Sequence, residues 1–279
     1  MHRGQDNRRR GVPAAPERGG RGQISTAGHV VGGQGLWDLQ MEAGKMIVMP
    51  ANSTGWFWHC LARETGRIGH LYSPGAQLTK PFPWFPYALD NGAFACWDQA
   101  TNTFDDAKWA ILLPKWHKML AWAATAIDRP RWAIVPDVPG NAKATLVKWE
   151  QGAAVIQQHG FPLAIAVQDG MTVHNVQSLA TLPEVICIGG TDEFKWGSVM
   201  MWRAHFPRVH VLRCNSPDKL YWLEQIGIES CDGTGWNRGN RKQTAGLEIW
   251  ARSKAVPRND EMHNFVCKVP KGGQQEWAF

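Results

Sequence analysis

Eight short, almost continuously apolar runs recur along this chain: KMIVMP (45–50), GHLYSP (69–74), YALD (87–90), WAIVPD (132–137), LAIAVQ (163–168), VICIGG (185–190), HVLRC (210–214) and IESCD (228–232). A strand that is apolar on successive residues has to be buried on both faces, which is the condition of a parallel sheet covered by helices. The later runs are separated by helix-like stretches at 104–124, 141–159, 172–182, 193–205 and 216–226, and another at 244–253 follows the last run. Ser216 before Pro217 has the residue order of a helix N-cap followed by its first turn. Eight strand–helix units predict an α/β fold, a closed (β/α)8 TIM barrel rather than an open doubly wound sheet. A chain of 279 residues with 44% hydrophobic content is long enough for one such core.

Residues 1–35 are rich in Gly, Arg, Pro and Gln and have no apolar periodicity, so they are expected to form a disordered basic tail outside the barrel domain at 36–279. The net charge of +6 is unevenly spread: residues 1–24 carry six Arg against Asp6 and Glu17, a net +4 that leaves +2 for the remainder. A second basic group is Arg238, Arg241 and Lys242, continuing to Arg252, Lys254 and Arg258 with Glu248 the sole acid between Arg238 and Arg258. Such patches suit phosphate backbones, and equally a solvated face. The six cysteines have no CxxC spacing and predict neither a zinc site nor a disulfide framework. No phosphate-binding glycine loop is present, and no apolar run is long enough to span a membrane. A protein of the cytoplasm is expected, needing no cofactor.

The ends of the apolar runs carry the candidate chemistry. They read Asp90-Asn91-Gly92, Asp137, Gln168-Asp169-Gly170, Gly189-Gly190 and Asp232-Gly233-Thr234-Gly235. In a parallel barrel all C-terminal strand ends meet on one rim, where active sites of this architecture are built. An Asp before Gly is by itself more often a turn or capping residue. Four polar strand ends are harder to assign to four independent turns, and carboxylates sharing a site divide into nucleophile and acid/base because they push each other's pKa values apart. Of the sixteen Trp, Trp84, Trp97, Trp196 and Trp236 neighbour the expected rim and are candidates for stacking on bases, while those in helices pack on the barrel. The histidines suggest no arrangement.

The segments LDNGAF (89–94), IVPDVPG (134–140), AVQDGMT (166–172), ICIGGTDE (186–193) and IESCDGTGW (228–236) resemble, in order and spacing, the motifs of the tRNA-guanine transglycosylase superfamily. The resemblance runs from about Lys45 to Arg252. The Cys-rich zinc motif of the tRNA-modifying members has no counterpart here, so no zinc subdomain is expected. The shorter chain is most like the phage and bacterial DpdA-type transglycosylases that place 7-deazaguanines in DNA.

That resemblance implies a base exchange in which Asp232 is the nucleophile on C1′ and Asp90 the general acid/base. Asp137, Gln168, Gly189 and Gly190 would bind the base, and Arg238, Arg241 and Lys242 the nucleic-acid backbone. Asp192 or Glu193 would contact a 7-substituent if they are more than helix-start acids. The implied partners are DNA, with tRNA as the alternative polymer, and a free 7-deazaguanine such as preQ0 or preQ1. A nucleic-acid N-glycosidase, a nucleoside deoxyribosyltransferase and a catalytically inactive nucleic-acid-binding barrel are the competing readings.

Overall fold

The computed structural model describes residues 45–52, 55–76, 81–238 and 241–253. The chain runs β1 (Ile47–Pro50), α1 (Trp56–Thr65), β2 (His70–Tyr72), β3 (Tyr87–Leu89), a 3-10 turn (Ala93–Cys96), β4 (Trp97–Asp98), β5 (Thr103–Phe104) and α2 (Asp106–Thr125). It continues through β6 (Ala133–Ile134), α3 (Ala142–Gln157), β7 (Leu163–Val167), α4 (Val173–Gln177), β8 (Val185–Ile188), α5 (Asp192–His205), β9 (Val209–Val211), α6 (Pro217–Gln225), β10 (Ser230–Gly233) and α7 (Arg241–Arg252). Eight strands lie in the order β1-β10-β9-β8-β7-β6-β3-β2, each pairing parallel to its neighbours. The bridges Val48–Ile68 and Ala51–Leu71 join the two ends of that order and close the sheet into a TIM-type barrel, in which no helix is found among the described residues between β2 and β3.

Alternation along each strand sorts the side chains into two buried layers. Val48, Leu163, Ile165, Val167, Ile186, Ile188, Val209, Val211 and Cys231 face the helices. Ile47, Met49, Leu71, Ala88, Trp132, Ile134, Ala164, Ala166, Val185 and Cys187 fill the barrel interior. Trp132 is wholly buried, and the alanines at 88 and 164 on flanking strands leave it room. Both faces of the sheet are therefore largely apolar, with His70, His210 and Ser230 as buried polar exceptions.

All eight expected strands form. The run at 210–214 is displaced: β9 starts at Val209 and stops at Val211, because the chain turns through a left-handed conformation at Arg213, φ 56°. Helix α2 starts at Asp106 rather than 104, since Phe104 pairs with Trp97 in a small hairpin and Asp105 caps the helix through Lys108 N. Helix α4 is shorter than the stretch expected at 172–182. Ser216 occupies the N-cap of α6 but its side chain makes no capping bond, leaving Pro217 to start the helix. Helix α1 has no counterpart among the expected elements; its N-cap is Gly55, without a side-chain cap, and it ends on Gly66 in the left-handed region. The expected tail (1–35), Lys254, Arg258 and Cys267 lie outside the described residues. None of the described cysteines is in a disulfide, and Cys96, Cys187, Cys214 and Cys231 are buried. No described helix is long and apolar enough to cross a membrane.

The N-terminal end of the barrel is closed by charge. Glu229, just before β10, accepts from Arg131 Nη2 at 2.7 Å and Arg208 Nε at 2.7 Å, residues that precede β6 and β9. Burial alone would raise the Glu229 carboxyl, but the Arg208 hydrogen bonds and the Arg131 charge outweigh it and hold the group at about 2, against an ordinary 4.5. The unfolded glutamate therefore takes up its proton first as pH falls. This group's contribution, on the order of 3 kcal/mol, is present above pH 4.5 and lost towards pH 2. Urea titrations across that window are expected to show this loss in the wild type and a shallower slope in Glu229→Gln, which is also the less stable protein at neutral pH.

Candidate active site

The opposite, C-terminal rim holds a cavity of about 210 Å³. Asp90, Asp137, Gln168, Gly189, Gly190, Asp232 and Arg238 all line it, so the rim brings together seven of the nine residues singled out from the sequence. Arg241 and Lys242 stand exposed in the first turn of α7 and do not line the cavity. The cavity is small beside the roughly 300–1,000 Å³ of drug-sized sites, which suits one compact ring system.

Asp137 follows β6 and is 6% exposed. Its Oδ1 accepts from Asn91 Nδ2 at 2.8 Å and its Oδ2 from Gln168 Nε2 at 2.6 Å. Burial pushes the carboxyl up to about 7 and the charge of Asp90 adds to this, while the Asn91 and Gln168 hydrogen bonds pull the other way. Each oxygen keeps lone pairs for a ligand N–H. The two amides are fixed in turn. Asn91 Nδ2 also donates to Val135 O and its Oδ1 accepts from Ala93 N. Gln168 Oε1 accepts from Gly140 N at 3.2 Å and Gly190 N at 3.1 Å. Gln168 thus braces the wall from three sides. Gly190 has φ 70°, and a Cβ there would strike Asp169 and Phe194, so the close approach of this loop requires glycine.

Asp90 follows β3, and its Oδ2 accepts from Ser73 Oγ at 3.0 Å. Burial raises its pKa, and the neighbouring Asp232 charge raises it further, against hydrogen bonds from Ser73 and the backbone of Gly92 and Asn91. Asp232, 5% exposed on β10, has its Oδ1 held by the backbone N–H of Arg213 at 2.9 Å and by His210 Nε2 at 3.2 Å. The pocket therefore combines an acid whose pKa is raised by burial and a neighbouring charge with a second carboxylate anchored through one oxygen, the division of labour that acid/base and nucleophilic chemistry needs.

Three contributors went unread in the sequence. Arg213 crosses the mouth: its guanidinium donates to Gly190 O and lies 4.5 Å from the centre of the Phe94 ring. Asn91 stands in the sequence as the residue after Asp90, with no role of its own. His210 looked like one more strand residue; its signal is the register that sets it opposite Ser230, two residues before Asp232. The tryptophans are a correction, since none of the four candidates lines the cavity. Trp84 precedes β3 at the closed end and stacks on Phe82; Trp236 is buried; Trp97 covers Gly140; Trp196 lies beneath Lys219. Phe94, 47% exposed, is the aromatic residue of the mouth. Asp192 pairs with Lys195 at 2.9 Å and Asp169 accepts from Thr191, so both serve as local structural acids outside the cavity. A larger open depression of about 570 Å³ over the β4–β5 hairpin holds Asp98 and Asp105, but these carboxylates are spent on turn and cap hydrogen bonds.

No family model matches the chain, and no curated protein matches it. Among solved structures it is similar to a chain of the tryptophan synthase α2β2 complex from the hyperthermophile Pyrococcus furiosus, with a TM-score of 0.45 and 9% identity over 75% of this chain and 96% of that one. Fold and site together define an eight-stranded α/β barrel with a carboxylate-lined pocket on its C-terminal rim.

The network around Asp137 fixes the sense of two substitutions. In Asn91→Ala the carboxylate loses a donor that favours its ionised form, so its titration moves above about 7; in Asp90→Asn it loses a repelling charge and moves below. Carboxyl-carbon NMR of Asp137 across the neutral range reads both shifts.

Proposed function

We propose that this protein exchanges guanine in DNA for a free 7-deazaguanine through a covalent glycosyl-enzyme. The observation that carries the reading is the gathering of three acids with different environments in one base-sized cavity. Asp232 is anchored and open to the pocket, Asp90 is biased towards protonation, and Asp137 is cradled by amides. The resemblance of LDNGAF and IESCDGTGW to transglycosylase motifs supplies the identity of the base.

Asp232 forms a bond to C1′ as the C1′–N9 bond breaks. The electron pair departs on the purine, which takes the proton of Asp90. In the second half the ionised Asp90 accepts the proton of the incoming base, whose nitrogen displaces Asp232 from C1′. An oxocarbenium-like transition state flanked by two carboxylates is the logic of retaining glycosidases. Asp137 accepts from the ring N–H and exocyclic amine of the base edge, with the Gly189–Gly190 backbone alongside. Gln168 serves the base indirectly, by holding Asp137 and Gly190 in place. The target nucleotide has to leave its stack to enter so small a pocket. Arg238 at the mouth and Arg241 and Lys242 beyond it hold the flanking phosphates. Cations in a first helical turn oppose the helix dipole, a cost that a bound phosphate offsets.

Incubation of DNA or tRNA with each candidate base, followed by digestion and mass spectrometry of the nucleosides, tests the exchange. Incorporation into DNA that is absent in Asp232→Ala is the expected result. Incorporation into tRNA alone overturns the choice of polymer, and DNA binding without incorporation identifies a binding barrel instead. Because ionised Asp137 is the acceptor, affinity for free guanine is expected to strengthen as pH rises through about 7. In Asp137→Asn calorimetry should find binding weaker by about 10- to 100-fold and that pH dependence gone.

A further inference from the structure

Between the pocket and the filled barrel interior lies a buried polar chain that the exchange mechanism above does not use. His210 is fully buried on β9, on the inward side that apolar residues otherwise mostly fill. Its Nδ1 is 2.8 Å from Ser230 Oγ and its Nε2 3.2 Å from Asp232 Oδ1. The register places Ser230 directly opposite His210 on the adjacent parallel strand, and Asp232 two residues further on the same inward face. Trp132 packs edge-on against the imidazole, with ring centres 4.7 Å apart, and fixes its plane.

We propose that His210 is a positioning residue for Asp232, and that Ser230, His210 and the Arg213 backbone together assign the two carboxylate oxygens different tasks. The inference rests on the reading of Asp232 as the nucleophile. An ionised carboxylate only accepts hydrogen bonds, so the facing Nε2 carries a proton, and the Ser230 hydroxyl is the partner of Nδ1 on the other side of the ring. Oδ1 accepts from both Nε2–H and Arg213 N–H. Those two bonds fix the carboxylate plane and leave Oδ2 as the oxygen that attacks C1′. The left-handed turn at Arg213 belongs to the same device, since it ends β9 where that N–H meets Asp232. A non-glycine residue in this conformation is held there by its surroundings.

A histidine acting through another side chain should alter turnover and leave base binding alone. In His210→Phe, which fills the space but donates nothing, kcat for exchange is expected to fall roughly 10- to 100-fold, with free-guanine Kd changed by less than about twofold. His210→Gln, which retains an N–H donor, should recover part of the loss, and thermal unfolding establishes that both variants are folded. A folded His210→Phe with unchanged kcat overturns the proposal. So does equal loss in the Phe and Gln variants, or weakening of guanine binding in step with kcat. Imidazole nitrogen NMR gives a readout independent of activity: His210 is expected as the Nε2–H form, with its Nε2 resonance moved by Asp232→Asn. Absence of exchange in the wild type with that signature present refutes the transglycosylase reading and leaves the His210–Asp232 pairing standing; the opposite tautomer refutes the pairing itself.

Discussion

Closure of the sheet is the constraint from which the other features of this protein follow. Once β1 meets β2, every strand is buried between a packed interior and a shell of helices, and a charged group has no place along most of its length. Polar chemistry is expelled to the strand ends. At one end Glu229 is held between two arginines and becomes part of the scaffold. At the other the acids outnumber the cations that face them, and the mutual repulsion of Asp90, Asp137 and Asp232 is tolerated rather than cancelled.

That tolerance depends on fixed dipoles. Asn91 and Gln168 have almost no freedom left after satisfying backbone groups, so they meet Asp137 without reorganising. The charge in the pocket is held by groups already aligned, which is where electrostatic preorganisation resides. The wall ties the loops after β3, β6, β7 and β8 to one another, so no single loop sets the shape of the cavity.

The strands were legible because burial on both faces leaves an uninterrupted apolar signature, and the rim was legible because each run stops at a polar residue. Helix α1 was not, since its sequence WFWHCLARET lacks a side-chain cap and crowds three aromatics at its start. The β4–β5 hairpin was hidden for a related reason: two-residue strands carry no period to detect. The acids of the site could be nominated from chain order. Their partners could not, because the meaning of Asn91 depends on Asp137, 46 residues away, and that of His210 on a cross-strand register. The tryptophans misled because proximity in sequence to a strand end does not say which end of the barrel, or which layer, a side chain reaches.

The filled interior has a kinetic meaning. Ile134 and Ala166 line the pocket, while Trp132 and Ala164, two residues earlier in the chain, are buried below them and fill its inner end. On the proposed function, a cavity of about 210 Å³ takes one base at a time. The departing base of that scheme then has to clear the cavity before its successor enters. In the exchange proposed above, occupancy of the pocket alternates, and the sugar that the first base leaves behind stays on Asp232 during the interval.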